Sequence, residues 1–342
     1  LRNDYQLFIV TTNTDYMHDE PYDLPQGEWV ERGINEKVYY WSGDGDVASL
    51  WKALEHSVDP HIVYVNSMFS RCFAITPLKV LKHKPRIIAP RGMLASSALG
   101  QKRLKKQLFL RYAKLSDLFA NVTWHSTGEK ESEDILRVFS KATIVQAPNV
   151  VSVPVSRDNK NSKCQGELRL ISVARIAPEK NILYAVDILS RMNKPASLHL
   201  IGAIYDQAYW KECLRRIEQL PDHIQVAHKG EVAPAELSEM MQTYHAMFLP
   251  TKGENFGHAI YEALVNGLPV LTSDQTPWNL SPEASGSHSL PLSDPNGFVS
   301  VLDDWSAQDE ASFRSLSEKA YSFATEYFQE QQYQSHYRKL FG

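Results

Sequence analysis

LPTKGENFGHAIYEALVNGLPVLTSDQTPW, residues 249–278, decides the reading of this chain. AMFLP (246–250) is a short apolar run of buried-strand length, and Gly253 and Gly257 free the backbone after it. HAIYEALVNG then has helical periodicity that stops at Gly267 as its C-terminal cap. A helix that opens from a glycine-bearing loop behind a strand presents unpaired N–H groups and a positive dipole end, which suits an anionic ligand. Glu254 in the loop and Glu262 on the first turns of the helix are poor phosphate partners but good acceptors for sugar hydroxyls. The pairing points to a ligand that carries both, and a nucleotide sugar fits.

The segment resembles the retaining glycosyltransferases of family four (group 1), which carry a Glu-x7-Glu signature in this place. The likeness rests on E-N-F-G, then E-A-L-x-x-G-x-P-V, then S-D-x-T-P-W. It extends upstream, where SVARIAPEKN (172–181) looks like the family's Arg and Lys pair and PRGMLASSAL (90–99) resembles a segment of the bacterial surface-polysaccharide branch. The fold implied is GT-B, α/β with two Rossmann-like domains facing each other across a cleft.

Strand and helix patterns alternate along the chain, as in parallel sheets. QLFIVTT, KVYYW, HIVYVN, RIIAP and NVTWHS read as strands of a first domain, with helices near 46–57, 67–83, 101–119 and 128–139. LRLISVA, SLHLIGA, IQVAH, AMFLP and LPVLTS read as the second sheet, with helices near 179–192, 206–220, 234–244 and 257–266. The polar stretch SRDNKNSKCQGE (156–167) is the expected linker. The helical stretch 309–341 is too long for one globular helix, and the resemblance implies a break and a return to the first domain. The domains expected are therefore 1–155 with 327–342 on the acceptor side, and 168–326 on the donor side. Family members place a strand, a Gly-rich loop and a helix before the strand that QLFIVTT resembles, so either a first βα unit is absent from the numbered chain, which is the expectation, or the acceptor site is built differently.

The chain is 342 residues long, 43% hydrophobic and 22% charged, which argues for two cores and against disorder. No run approaches the ~20 apolar residues of a membrane span, and the N-terminus lacks a signal-peptide pattern. Cys72, Cys164 and Cys213 have no metal-type spacing and read as reduced thiols in a cytosol, so the sequons at Asn121 and Asn279 read as chance matches.

Arg175 follows LRLISVA at the end where open α/β sheets place ligands, and Lys180 lies five residues on. Two fixed cations there can neutralise a diphosphate and stabilise charge on a leaving group. The resemblance implies that role for them, with Glu254 on a donor-sugar hydroxyl and Glu262 on the ribose hydroxyls. Arg175, Lys180 and Glu254 are the expected catalytic set. Gly253 is expected to permit close approach, and Asn255, Phe256 and Gly257 to act through backbone N–H groups, with Phe256 equally readable as a core anchor. Asp274, Thr276 and Trp278 follow LPVLTS at a comparable edge, with Thr276 expected on the donor and Trp278 either walling the nucleotide or filling the core. Arg91 follows RIIAP, and either contacts donor phosphate or acceptor or makes a structural salt bridge. His125 reads as a buried or merely polar histidine. Asp44-Gly45-Asp46 has the shape of a metal-binding Asp-x-Asp, but it follows KVYYW as ordinary turn chemistry, so no metal and no tight cofactor are expected.

Charge is unevenly spread. Residues 1–59 hold 12 acids and 4 Lys or Arg, whereas 60–116 hold no acid and 12 Lys or Arg. On a helix from 102 to 119, Leu104, Leu108, Tyr112, Leu115 and Phe119 share a face expected to pack on the sheet, leaving Lys102, Arg103, Lys106 and Lys114 on the other. That basic face suits an anionic membrane surface at ~1 kcal/mol per group, or it is simply solvated. No stacking aromatics or nucleic-acid module accompany it, so no nucleic-acid partner is expected.

The expected activity is transfer of a sugar, with retention, from a nucleoside-diphosphate sugar to an acceptor hydroxyl, the acceptor being a lipid-linked or bacterial surface glycan. The expected location is the cytoplasm, peripheral at the inner face of the plasma membrane. A sugar phosphorylase or epimerase of the same fold, and a non-catalytic nucleotide-sugar-binding protein, are the alternatives. New sugar product without acceptor marks an epimerase, and nucleotide binding without slow donor hydrolysis marks the binding protein.

Overall fold

The computed structural model describes residues 4–14, 20–100, 103–151 and 162–342, apart from the side chains of Ser96 and Ser97. Two compact units emerge, one of Leu1–Asn149 with Gln332–Gly342 and one of Val150–Gln331. The first half of the expected linker, 156–161, lies outside the described residues.

In the first unit, β1 (Leu7–Thr12), β2 (Trp29–Gly33) and β3 (Glu36–Trp41) form a sheet in the order β1-β3-β2. A second sheet orders β4 (Val63–Asn66), β5 (Arg86–Ala89), β6 (Val122–Ser126) and β7 (Thr143–Gln146), parallel throughout. β2 and β3 pair antiparallel as a hairpin, which the all-parallel expectation lacked. Asn35, at φ 58, supplies the left-handed turn residue that the hairpin needs. After Gln332, itself left-handed at φ 43, the helix Tyr333–Phe341 packs Tyr337 and Leu340 against Ile87 and Ala147 of this unit.

The helix Arg103–Leu115 sits the other way round from expectation. Ala113 is buried, and Phe109 and Leu110 pack on the core of β4–β6. Leu104, Leu108, Tyr112 and Leu115 are exposed by 77%, 64%, 45% and 87%. Lys106 and Lys114 lean over the rings of Phe69 and Phe139 at 5.5 and 5.6 Å, so the basic face is the one that meets the unit. Two causes can be named. The helix ends at Leu115 and the chain turns through Asp117 at φ 49, so Phe119 leaves the helical register and packs beside Trp124. Lysine stems also cover apolar surface readily while their ammonium groups find rings or carbonyls, here Ala98 O at 2.6 Å from Lys106. Lys102 lies outside the described residues.

The second unit is one parallel sheet of β8 (Leu168–Val173), β9 (Ala196–Ile201), β10 (Ile224–His228), β11 (Ala246–Leu249), β12 (Val270–Ser273) and β13 (His288–Leu290), ordered β10-β9-β8-β11-β12-β13. Every residue of β11 and β12 is buried, as expected of parallel strands covered on both faces. Leu168, Leu170, Leu198, Phe248 and Leu271 join Val186, Leu189, Phe298 and Trp305 from the flanking helices in the core. Strand order reverses between β8 and β11. Sheets of this kind receive ligands at that crevice, outside the carboxyl ends of the two strands.

His245 ties β11 to β8, accepting from the Arg169 N–H at Nδ1 (3.0 Å). It is 1% exposed, and burial is the main cause that lowers its pKa to about 4. Because the folded value lies below the ordinary histidine value, the unfolded chain takes up the proton first as pH falls. The stability held above pH ~6.5 is therefore lost between there and about 4, by roughly 2–3 kcal/mol from this group. Melting temperature followed from pH 7 to 4 should fall steeply, and His245→Gln should flatten that fall.

Candidate functional site

The loops that leave β8 and β11 meet at the reversal of strand order. Asn181 Nδ2 donates to Pro250 O (3.0 Å), Thr251 Oγ1 donates to Glu179 O (3.0 Å) and Lys252 N donates to the same carbonyl (2.8 Å). Lys180 Nζ reaches Glu254 Oε1 at 2.6 Å, with side-chain exposures of only 16% and 12%. Two residues that are 74 positions apart thus form one nearly buried ion pair at the mouth of the crevice.

Two helices begin there, Ile182–Leu189 behind Asn181 and His258–Val265 behind Gly257; neither Asn181 nor Gly257 caps its helix with a side chain, and at the first of them Tyr209 OH accepts from Leu183 N at 3.1 Å. Both capping residues are left-handed, at φ 60 and φ 80. Gly257 is also tightly surrounded, since a Cβ there would stand 3.0 Å from Ile260 Cδ1 and 3.4 Å from Trp278 Nε1. Gly253 is different. A Cβ at that position would meet only Gln275 O, at an ordinary 3.9 Å, so protein packing alone does not call for glycine.

Arg175 is half exposed, pairs with Glu179 at 3.0 Å and lies over the Tyr205 ring at 4.8 Å. Glu262, on the helix His258–Val265, has its pKa raised, with burial as the cause. A carboxylate desolvated in this way gains most from a ligand that brings hydroxyl donors.

Phe256 and Trp278 turn inward. Trp278 is 5% exposed, its Nε1 donates to Phe256 O at 2.5 Å, and it packs with Phe256, Tyr261, Phe323 and Tyr327. Of its two readings, the core one holds, and the aromatic cluster fixes the loop that carries Glu254. Thr276 Oγ1 accepts from Trp278 N at 3.2 Å, so it turns the chain into that cluster. Asp274 accepts from the side chain of its neighbour Gln275 at 2.6 Å.

Arg91 belongs to the first unit. At φ 51, its guanidinium donates to Asn66 Oδ1 (2.9 Å), Asn149 Oδ1 (2.7 Å) and Tyr64 OH (2.8 Å). These are neutral partners at the carboxyl ends of β4 and β7, so no salt bridge is involved. Tyr64, with its pKa pushed up to about 12 mainly by burial, keeps its proton and donates to His125 Nδ1 at 2.7 Å. His125, fully buried, donates from Nε2 to Ala147 O at 2.9 Å, which makes it a neutral structural histidine. Asp46 caps the helix Val47–Val58 by accepting from Ser49 N at 2.8 Å. Among the described residues no group of three or more His, Cys, Asp or Glu is placed to hold a metal.

Sequence reasoning missed the contribution of β9. Gly202, at φ 134, lies so close to the β8 loop that a Cβ would stand 2.5 Å from Ala174 O, and Gly202 N donates to Gly230 O at 2.8 Å. This close approach brings Tyr205 beneath Arg175. Glycines at the ends of SLHLIGA and after IQVAH were the available signal.

Residues 156–317 match the family model described as Glycosyl transferases group 1. The GtfA subunit of the UDP-N-acetylglucosamine–peptide N-acetylglucosaminyltransferase of Streptococcus pneumoniae is 32% identical over 152 residues, 43% of this chain. The chain spans only 29% of that protein's length. Sucrose-phosphate synthase of Thermosynechococcus elongatus superposes with a TM-score of 0.73 at 17% identity, over 99% of this chain and 90% of that one. Anabaena HepE in complex with UDP and glucose superposes with a TM-score of 0.65 at 16% identity, over 90% of this chain and 86% of that one. These likenesses give the fold as that of the GT-B glycosyltransferases, and residues 156–317 are a group 1 glycosyltransferase domain.

Proposed function

We propose that the protein transfers a sugar from a nucleoside-diphosphate sugar to an acceptor hydroxyl with retention of anomeric configuration. The observation that carries this reading is the Lys180–Glu254 pair at 2.6 Å, set beside two helix N-termini where strand order reverses. A diphosphate placed there draws on both dipoles and on Lys180 and Arg175. Its sugar then lies within reach of Glu254, and its ribose within reach of Glu262. As the C1–O bond to the diphosphate breaks, the electron pair leaves with the phosphate oxygen, where the two cations stabilise it. The acceptor hydroxyl forms the new bond on the same face of the sugar, and its proton passes to the departing phosphate oxygen. No metal or tight cofactor is assigned to these steps.

The pneumococcal GtfA subunit is named for UDP-N-acetylglucosamine and Anabaena HepE has been solved with UDP-glucose, which supports a uridine nucleotide as the first donor to try. The acceptor we favour is a lipid-linked or growing bacterial surface glycan, met at the cytoplasmic face of the plasma membrane. No helix among the described residues is long and apolar enough to cross a membrane.

The test is release of nucleoside diphosphate from a panel of UDP-, GDP- and ADP-sugars, with and without EDTA. One donor should be cleaved slowly without acceptor, and chelation should leave the rate unchanged. Binding without cleavage of any donor would leave a nucleotide-sugar-binding protein. Loss of cleavage in EDTA, restored by Mg²⁺ or Mn²⁺, would overturn the metal-free chemistry.

A further inference from the structure

Among the described residues, the largest run of exposed apolar side chains outside the site lies on the helix Arg103–Leu115. Leu104, Leu108 and Leu115 are exposed by 77%, 64% and 87%, whereas the other large exposed apolar residues, such as Ile34 and Leu214, are scattered through the sequence. At 100° per residue the three leucines fall within about 40° of arc, a straight stripe about 16 Å long. The opposite side of the helix is fixed to the unit through Ala113, Phe109 and Leu110, so the stripe is held outward by packing.

Charge identifies what the stripe meets. Arg103, Lys105 and Arg111 are exposed on the same helix. By helical angle Arg111 and Lys105 stand to either side of the leucines, and Lys79 reaches Tyr112 OH at 2.6 Å on the adjoining turn. Residues 60–116 contain no acid at all. An apolar stripe bordered by cations matches an interface that offers acyl chains below and anionic headgroups beside them.

We propose that this helix seats flat on an anionic lipid surface, with Leu104, Leu108 and Leu115 among the acyl chains and the flanking cations on headgroup phosphates. The inference deepens the lipid-linked acceptor reading, on which it rests for its purpose, and it differs from attraction by a basic face alone. Purely electrostatic binding disappears as salt rises, because the Debye length shrinks from ~8 Å at physiological strength to ~3 Å at 1 M. Insertion leaves a salt-resistant fraction.

The experiment is cosedimentation of the whole protein with vesicles of phosphatidylcholine alone, or of equal parts phosphatidylcholine and phosphatidylglycerol, at low and high salt. Wild type should bind the mixed vesicles and retain part of that binding at high salt. Leu104→Gln/Leu108→Gln/Leu115→Gln should weaken binding by about tenfold or more and remove the salt-resistant part, since each loses its buried apolar area. All three side chains are exposed, so melting temperature and donor cleavage should stay at wild-type values. Arg103→Gln/Lys105→Gln/Arg111→Gln should keep the salt-resistant part and lose the preference for phosphatidylglycerol. No binding by wild type, or equal binding by the leucine variant, overturns the proposal. So does a change from dimer to monomer in light scattering of the leucine variant, which would assign the stripe to a second copy. Vesicle binding by a protein that cleaves no donor would fail the enzymatic reading while leaving the docking surface in place.

Discussion

Lys180→Ala is expected to lower the rate of donor cleavage by about 10²-fold or more, as when a preorganised charge at a leaving group is deleted. The ammonium is held by Glu254 at 2.6 Å in a nearly buried pair, so it is in place before any ligand arrives and costs no reorganisation when charge develops. The variant also strands Glu254, 12% exposed, without its partner, which lowers stability by itself. Glu254→Gln compared with Lys180→Ala/Glu254→Gln separates the two effects, because neither variant leaves an unpaired carboxylate and only the second lacks the ammonium. The double variant should cleave donor more slowly than Glu254→Gln; equal rates would show that Lys180 acts only by holding Glu254. Arg175→Ala should also slow cleavage, with little change in stability, since its half-exposed pair with Glu179 is screened by solvent.

The donor-side elements were legible because their physics is local. Five of the six strands of the second sheet are short, mostly apolar runs, and glycines follow β9, β10 and β11; β13, the three residues His288–Leu290, has no such signature and was not read. Arg175 could be placed at a strand end, Lys180 at a helix start, Glu254 in a loop and Glu262 on the following helix from sequence, and strand order then brought the two loops together. What escaped depended on partners remote in sequence. The hairpin β2 is short, and WVERG carries two charges and a glycine, so it has no strand signature of its own. Trp278 could have faced a ligand or the core until Tyr327 and Phe323 arrived from the helix Glu310–Glu330 to enclose it. Arg91 finds its partners on β4 and after β7, 25 and 58 positions away. The helix Arg103–Leu115 was misread because periodicity identifies two faces but does not say which one is covered. Lysines able to lie over Phe69 and Phe139 reversed the usual answer.

The second large effect concerns Glu262 and bears on the central claim, that the loops after β8 and β11 bind a nucleotide sugar. Burial has already cost this carboxylate part of its hydration, which is why its pKa is raised. Ribose hydroxyls would replace the lost water, and a charged hydrogen bond of that kind contributes ~1.5–3 kcal/mol, or about 10- to 150-fold in affinity. Titration calorimetry of UDP, GDP and ADP against wild type and Glu262→Ala measures it. The account expects wild type to bind one of the three and Glu262→Ala to bind that nucleotide at least about tenfold more weakly. Equal affinity in the two proteins would remove Glu262 from the site and contradict the account.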